Sequence, residues 1–543
     1  MARLTANEIV DRFENLESER SNLDGQLELL ERYVMPGKGR FFHEGQDSEE
    51  SIDWRHREIY DGTANTSLIT LASNLHSSLT SPAAQWFNLR FRRDELNEDR
   101  ESSAWLEEAG KRVMASLQDS NFNLEVNEFY QEGAGFGTAV MMHNETPGEP
   151  MSWNGHHFKA EMLRECFFEE DMEGRPFSLF IKRCYTPRQL EVKFGRAALP
   201  HEVIKRLDDE TAVDKTEGVI RCIYLDPDKK DADVSKPMPP ASRPYSGRYV
   251  LCEGRHFIGP EQGFYEFPAY VMRWARTAGS KYGHCPGMVA LGDILTLQEM
   301  VELVRNATEK AVDPPMKTTR RGIVGDLELE AGGLTNVREM GALEPLLPPG
   351  AYRIDSGWAD IQDLRQRVRQ AFFVDQLELK ESPQMTATEV QVRYEMMQRL
   401  LGPTLGRIQA DFLDPLVERC FWMMSRKGAL PEPPAKVIEL GGDLDIEYVG
   451  PLARAQRMGQ VDAITRWLSQ LGQIAQLPGA DEVLDVPDYD AAAKEIAEIL
   501  GVPAKLSRSQ KDIDSRRQQR SQAQQDAAMP GQLKEAGAGI KDL

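Results

Sequence analysis

The sequence predicts an α+β fold that is mainly helical, and three patterns carry that prediction. Apolar residues at near-helical spacing dominate the first third of the chain. From about residue 140 to 275 short runs rich in β-branched and aromatic residues replace them. Two further amphipathic stretches then bracket a segment crowded with glycine and proline.

In order along the chain, residues 6–34 place Ile9, Phe13, Leu16, Leu23, Leu27, Leu30 and Val34 on one helical face, and Pro36-Gly37 stops the run. Ser67 to Leu79 is a second helix ended by Ser81-Pro82, and Trp105–Leu117 and Asn121–Glu132 complete the series. The runs FSLFIKRCYT, GVIRCIYL, RYVLCEG and FPAYVMRWAR read as antiparallel strands, with 226–247 as an exposed loop or long hairpin tip. Pro286–Val312 carries Leu291, Ile294, Leu297, Met300, Val301 and Val304 on one stripe until Asp313-Pro314-Pro315 breaks it. Six glycines and three prolines within 316–355 allow short strands and turns but no long helix. Helical spacing resumes at Trp358, with Ile361, Leu364, Val368 and Phe372, and pauses in a loop around Pro383. A longer helix is expected from Thr386 to about Met424, kinked where Gly402-Pro403 removes a backbone donor. Leu444–Val449 reads as one strand, 452–475 and 490–500 as helices, and the tail from Ser507 as helix-favouring but poor in apolar residues.

Composition narrows the function. The 543 residues hold 65 Lys+Arg against 87 Asp+Glu, a net charge of -22, with 41% apolar residues, enough for several cores. Affinity for phosphate backbones comes mainly from Lys and Arg, so a protein that coats nucleic acid is disfavoured. One that DNA passes without sticking is not. The six cysteines stand singly, which argues against a zinc site or a disulfide framework and fits a reducing compartment. No run of 18 uncharged apolar residues offers a membrane span, and the acidic N-terminus does not resemble a secretory signal, so a soluble cytoplasmic product is expected.

Motifs for chemistry are weak. Gly133-Ala134-Gly135-Phe136-Gly137 follows a helical stretch where a phosphate-binding glycine loop needs a strand, and reads as a structural turn. His156-His157 are adjacent and so do not share a face as metal ligands would. The clusters Glu169-Glu170-Asp171 and Asp208-Asp209-Glu210 suit Mg²⁺, which keeps open a metal-dependent phosphoryl-transfer enzyme, although charge runs are more often solvated edges. Neither GxxxxGK[ST] nor GxSxG occurs. Two basic patches remain, one at Lys317 with Arg320 and Arg321, the other at Arg508, Lys511, Arg516, Arg517 and Arg520. Each suits phosphate, an acidic partner or plain solvent.

The order of elements is more telling: helix, Gly/Pro-rich insertion, returning helix, short Lys-bearing loop, long kinked helix. With LERYVMPGKGRFF at 30–42, IYDGTANTSLITLASNLHSSLTSPAAQWFNLR at 59–90, RWARTAGSKYGHCPGMVALGDILTLQ at 273–298 and PQMTATEVQVRYEMMQRLLGPTLGRIQADFLDPLVERCFWMM at 383–424, the chain resembles the portal, or head-to-tail connector, family of short-tailed bacteriophages. The likeness spans about residues 1–450.

That resemblance implies a non-enzymatic ring of about twelve subunits at one capsid vertex of the virion, without cofactor or metal, around a channel for double-stranded DNA. It implies partners: scaffolding and major capsid proteins, the terminase large subunit, then tail adaptors, and no membrane. By segment it implies a wing at 1–286, a stem helix at 287–312, a clip at 313–356 and a second stem helix at 357–376. A tunnel loop at 377–385 comes next, then a kinked helix and a strand returning to the wing sheet at 386–450, and a crown with helical tail at 451–543. Leu291, Ile294, Ile361, Leu364 and Val368 are expected in the seam between subunits, because little adjacent sequence remains to cover them within one chain. Lys317, Arg320 and Arg321 are expected to face motor and adaptor. Lys380, flanked by Glu378 and Glu381, is the one cation of the tunnel loop.

Overall fold

Alternation along the strands organises the larger part of the chain. The computed structural model describes residues 4–36, 59–82, 85–149, 152–209, 215–229, 238–277, 279–318, 322–324, 336–338, 343–346, 354–377, 401–448, 451–475, 483, 485–499, 513 and 515–520. They divide into two units, residues 1–77, 117–148 and 154–419 in one and 78–116, 149–153 and 420–543 in the other.

In the first unit two antiparallel sheets face each other. One has the order β3-β2-β9, from β2 (Thr138–Glu145), β3 (His156–Glu161) and β9 (Ala269–Arg273). The other runs β4-β5-β6-β7-β8: Cys166–Glu170, Pro176–Tyr185, Glu217–Leu225, Tyr245–Leu251 and Phe257–Phe264. Period-two alternation then sorts β6 between two faces and three apolar clusters. Ile220, Cys222 and Tyr224 face α1 (Ala6–Tyr33), packing with Ile9, Val10, Phe13 and Leu16. Ile223 faces the opposite sheet with Val140, Met142, Leu179, Ile181 and Val271. Val219 joins Leu190 and Val203, from α5 (Pro187–Phe194) and α6 (His201–Leu207), under Tyr249 and Leu251. Arg221 stands between Val219 and Ile223 on the same side of β6, a charged residue in an apolar row.

Helix α1 starts at a capping box in which Thr5 and Glu8 satisfy each other's backbone amides. Its buried Arg20 then donates to the carbonyls of Leu163 and Cys166 at 2.8 and 3.1 Å and covers the Phe167 ring at 3.8 Å. Helix α2 (Thr63–Leu79) comes next, and α4 (Phe122–Phe136) runs through the glycines expected to form a turn. The reason is close packing. A Cβ on Gly135 would lie 2.3 Å from the Met35 sulfur, and only Gly137, at φ +83, leaves the helix in the left-handed region.

Two long helices complete this unit: α7 (Pro286–Val312) and α8 (Ile354–Ala371). They are anchored at one buried node. Gln298 of α7 accepts from the amides of Tyr60 and Asp61 at 2.9 and 3.0 Å and donates to the Asp61 carbonyl at 2.7 Å. The Asp61 carboxylate accepts from the Thr63 amide at 2.9 Å, starting α2, and from Arg365 of α8 at 2.8 Å.

Gly402-Pro403, the expected kink, lies at the start of the described part of its helix, and residues 386–400 lie outside the described residues. Residues 401–408 are α-helical, and the irregularity among the described residues is a π turn at Gln409–Leu413. It directs Phe412 into Phe129, Tyr130 and Tyr270, while Asp411 meets Arg273 at 3.2 Å. In the second unit β1 (Phe87–Phe91) pairs with β14 (Leu444–Tyr448). The return strand therefore forms its own two-stranded sheet and does not extend the larger ones. Trp105, on α3 (Arg100–Gln118), packs between Phe91 and Phe421 of α9 (Asp414–Arg426) and donates to the Pro431 carbonyl at 3.0 Å. Helices α10 (Pro451–Ile474) and α11 (Tyr489–Ile499) lie where spacing puts them. No helix among the described residues is long and apolar enough to cross a membrane.

These packings can be tested at two buried sites. Gln298→Leu adds apolar surface at a buried position but strips the partners from two backbone amides. It should cost about 2 to 4 kcal/mol in chemical denaturation; unchanged stability would show that residues 60–61 find other partners. The second site is the pair His143 and His156, which are buried and hydrogen-bonded at 2.9 Å. Burial, with the Arg419 charge nearby, lowers both pKa values, that of His156 to about 3. The unfolded chain therefore takes up protons below about pH 6.5 that the folded chain refuses, so stability falls as pH drops from there toward 3, by roughly 1.4 kcal/mol per pH unit per histidine. His156→Gln should flatten that slope between pH 7 and 5, and an unaltered slope would mean that folded His156 is already protonated.

Candidate functional site

The long helices α7 and α8 form a hairpin whose far end carries the Gly/Pro-rich insertion. The 27 residues of α7 reach about 40 Å at 1.5 Å each. Helix α8 starts at Ile354, earlier than expected, and ends at Ala371, where Phe373 at φ 58 interrupts the chain before the turn Val374–Leu377. The helices approach closely at Gly357, where a Cβ would lie 2.6 Å from a Val304 methyl.

That contact changes the account of the apolar stripe. Ile294, Ile361 and Val368 are fully buried inside the single chain, and Leu291 and Leu364 are partly buried. The stripe on each helix is covered largely by its own hairpin partner, so a neighbouring subunit is not needed to bury it. The apolar side chains left exposed are Val289, Leu303 and Val312 on α7 and Trp358 on α8. Val289 and Leu303 are fourteen residues apart, close to four turns, and so share a face. Gly292 and Thr296 lie exposed between them.

At the tip, β10 (Met316–Thr318) pairs with β13 (Leu343–Pro345), and β11 (Ile323–Val324) with β12 (Asn336–Val337). Lys317 is half exposed and stands opposite Glu344, 3.4 Å away, so its charge is partly offset across the strands. Arg320 and Arg321 lie outside the described residues, as do Glu378, Lys380 and Glu381. In the second basic patch, Arg517 makes a bidentate pair with Asp490 at 2.6 and 2.7 Å, and Arg516 and Arg520 are exposed.

Among the described residues the acidic clusters do not converge on an open metal site, and Glu210 lies outside them. Glu170 pairs with both Arg273 and Arg276, Glu169 accepts from Ser178 at 2.6 Å, and Asp171 binds the Arg175 amide at 2.7 Å. Asp208 is exposed and paired with Arg196 at 2.5 Å. His156 is buried and His157 exposed on opposite faces of β3. The carboxylates serve as counter-ions of the fold, which leaves the phosphoryl-transfer reading without a constellation.

Sequence reasoning passed over Gln298, Asp61 and Arg365. The signal was a glutamine amid Ile294, Leu297 and Val301 on the stripe, a polar residue where burial demands partners.

The model for the bacteriophage head to tail connecting protein family matches residues 6–507. The chain is 30% identical over 548 residues to the probable portal protein of Bordetella phage BPP-1, covering 98% of this chain and 93% of that one. It is 28% identical over 559 residues to the portal protein of Salmonella phage epsilon15, covering 100% and 96%. A likeness that runs through strands, helix hairpin and C-terminal helices alike is a likeness of the whole chain, and this protein belongs to the bacteriophage head-to-tail connecting family.

Proposed function

We propose that this chain is a portal subunit, assembling with copies of itself into a ring of about twelve around a channel through which double-stranded DNA enters and leaves the capsid. The carrying observation is the end-to-end similarity to proteins named as portals. In this reading the ring sits at one vertex of the virion, joins scaffolding and major capsid proteins, docks the terminase large subunit and afterwards the tail adaptors. Its role is structural. Wing, clip, tunnel loop and crown keep the boundaries that the family resemblance implies, and the stem is adjusted to α7 and α8.

The seam is better drawn through the exposed face of α7 than through its buried stripe. Gly292 and Thr296 are small enough for a neighbouring helix to approach, with Val289 and Leu303 as flanking apolar contacts. Leu303→Asp should fold as a monomer and fail to form a ring, since a charge would enter the contact at a cost of roughly several kcal/mol per copy. Ile361→Asp should instead unfold the hairpin. Native mass measurement separates the cases: a ring of several hundred kilodaltons from Leu303→Asp would remove this face from the seam.

The clip at the far end of the hairpin is the surface offered to motor and adaptor, with Arg320 and Arg321 as contacts and Lys317 in support. Replacing both arginines with Glu should leave the ring intact and block packaging or tail attachment; normal phage yield would reduce the patch to solvated surface. In the same packaging assay Lys380→Ala should assemble normally and show a modest defect that grows at low ionic strength. An exposed contact with DNA phosphate is worth at most about 1 kcal/mol and is screened by salt.

A further inference from the structure

The sandwich of the first unit is apolar at its centre and basic at one mouth. Along β5 the inward row runs Leu179, Ile181, Arg183, Tyr185, and along β6 it runs Ile223, Arg221, Val219. Between these rows and β3 lies a cavity of about 180 Å³, into which Lys193 of α5 also reaches. Four cations line it, Lys159, Arg183, Lys193 and Arg221, against one carboxylate, Glu161. That balance is the reverse of a chain with net charge -22.

The cations are not equivalent. Arg183 is committed to Glu161 and Glu165, and Lys159 stands 3.8 Å from Glu161. Lys193 and Arg221 have no carboxylate within ion-pair distance among the described residues. Both are instead held over the Tyr249 ring, the Lys193 ammonium at 4.4 Å and the Arg221 guanidinium at 5.6 Å from its centre. Arg221 spends one terminal nitrogen on Gln262 at 3.3 Å, while its Nε is buried with no hydrogen-bond partner. Two cations gathered on one ring repel each other, and a buried guanidinium N–H without an acceptor costs desolvation energy. An anion in the cavity that both line offsets the repulsion, through the terminal guanidinium nitrogens and the ammonium, while the enclosed Arg221 Nε stays out of its reach.

We propose that this mouth is a binding site for a small oxyanion of the phosphate class, held by Arg221 and Lys193 with Lys159 at the rim. Guanidinium geometry suits a tetrahedral oxyanion, and Tyr249 fixes both donors in place beforehand. The cavity has room for one phosphate group and no room for a duplex, so the ligand is a free phosphate or the terminal phosphate of a mononucleotide. Burial raises the Glu161 carboxyl pKa, opposed by the Arg183 charge. The proposal is independent of the portal reading.

Titration calorimetry on the full chain tests it, with inorganic phosphate and AMP as separate probes. Saturable binding in the millimolar range or tighter is expected, weakened roughly tenfold or more in Arg221→Met and Lys193→Met. Lys193 is exposed, so its variant tests the site even if Arg221→Met fails to fold, and phosphate should raise the melting temperature of the wild type more than that of Lys193→Met. Tighter binding of AMP than of phosphate assigns a nucleotide; equal affinities assign the phosphate group alone. Absence of saturation at about ten millimolar phosphate, or equal affinity in wild type and Lys193→Met, overturns the proposal. A short DNA duplex that competes phosphate off the chain would equally overturn it, in favour of a polyanion surface.

Discussion

Everything in the helix hairpin depends on how one glutamine is satisfied. Gln298 sits on the buried face of α7, where an unpaired amide is costly, and its three hydrogen bonds all go to the backbone of residues 60–61. That short segment also supplies the Asp61 carboxylate, which begins α2 and holds Arg365 of α8. One polar node therefore sets the position of three helices. Apolar packing alone would tolerate sliding of α7 against α8 by a turn, because Ile, Leu and Val faces are interchangeable at that scale. Directional hydrogen bonds are not. A hairpin whose tip lies about 20 Å beyond that anchor needs this directionality, since a small rotation at the anchor is magnified at the end.

The same division between apolar bulk and polar register appears in the π turn at Gln409–Leu413. An extra residue in the turn rotates the rest of the helix, so Phe412 enters an aromatic cluster and Asp411 meets Arg273. Arg273 in turn joins Glu170 and the carbonyl of Gly174. The helix is thus pinned to the strands by a charge that would be costly to bury alone. Composition marks Gly402-Pro403 as a possible kink within this helix, but nothing in composition marks the π turn that follows, because a tertiary partner demands it.

Much of the fold was legible because periodicity records burial directly. The stretches at 6–34 and 286–312, the antiparallel runs between 140 and 275 and the small strands beyond Pro315 appear close to where spacing put them. The failures share one cause: sequence shows which face is apolar but not what covers it. Ile294, Ile361 and Val368 read as an unsatisfied seam although α7 and α8 cover each other. Gly133 to Gly137 read as a structural turn after a helical stretch, yet the helix runs through them and Gly135 admits Met35 and Leu68 against its backbone. Glu170 reads as a solvated edge or a possible metal ligand because its counter-ions Arg273 and Arg276 lie a hundred residues away. The family likeness supplied the order of segments, but only coordinates could assign each carboxylate its counter-ion.

Charge pairing bears on function through the cations it leaves over. Many arginines of the sandwich are neutralised at short range, Arg183 by Glu161 and Glu165, Arg248 by Glu261, Arg255 by Asp11 and Glu14. The excess acid of a chain at -22 is therefore spread as a diffuse field, screened beyond about 8 Å at physiological salt. A polyanion passing such a surface is repelled everywhere except beside an unneutralised cation, and a lone exposed cation holds it weakly. A pair that lines one cavity, such as the exposed Lys193 and the half-buried Arg221, behaves differently. The cavity is too small for a duplex, so under the proposal above two charges that would hold DNA weakly converge on a single phosphate. On the two proposals above, geometry separates the two kinds of anion: a lone surface cation holds a passing polymer weakly, whereas cations that converge on one small cavity favour a small ligand.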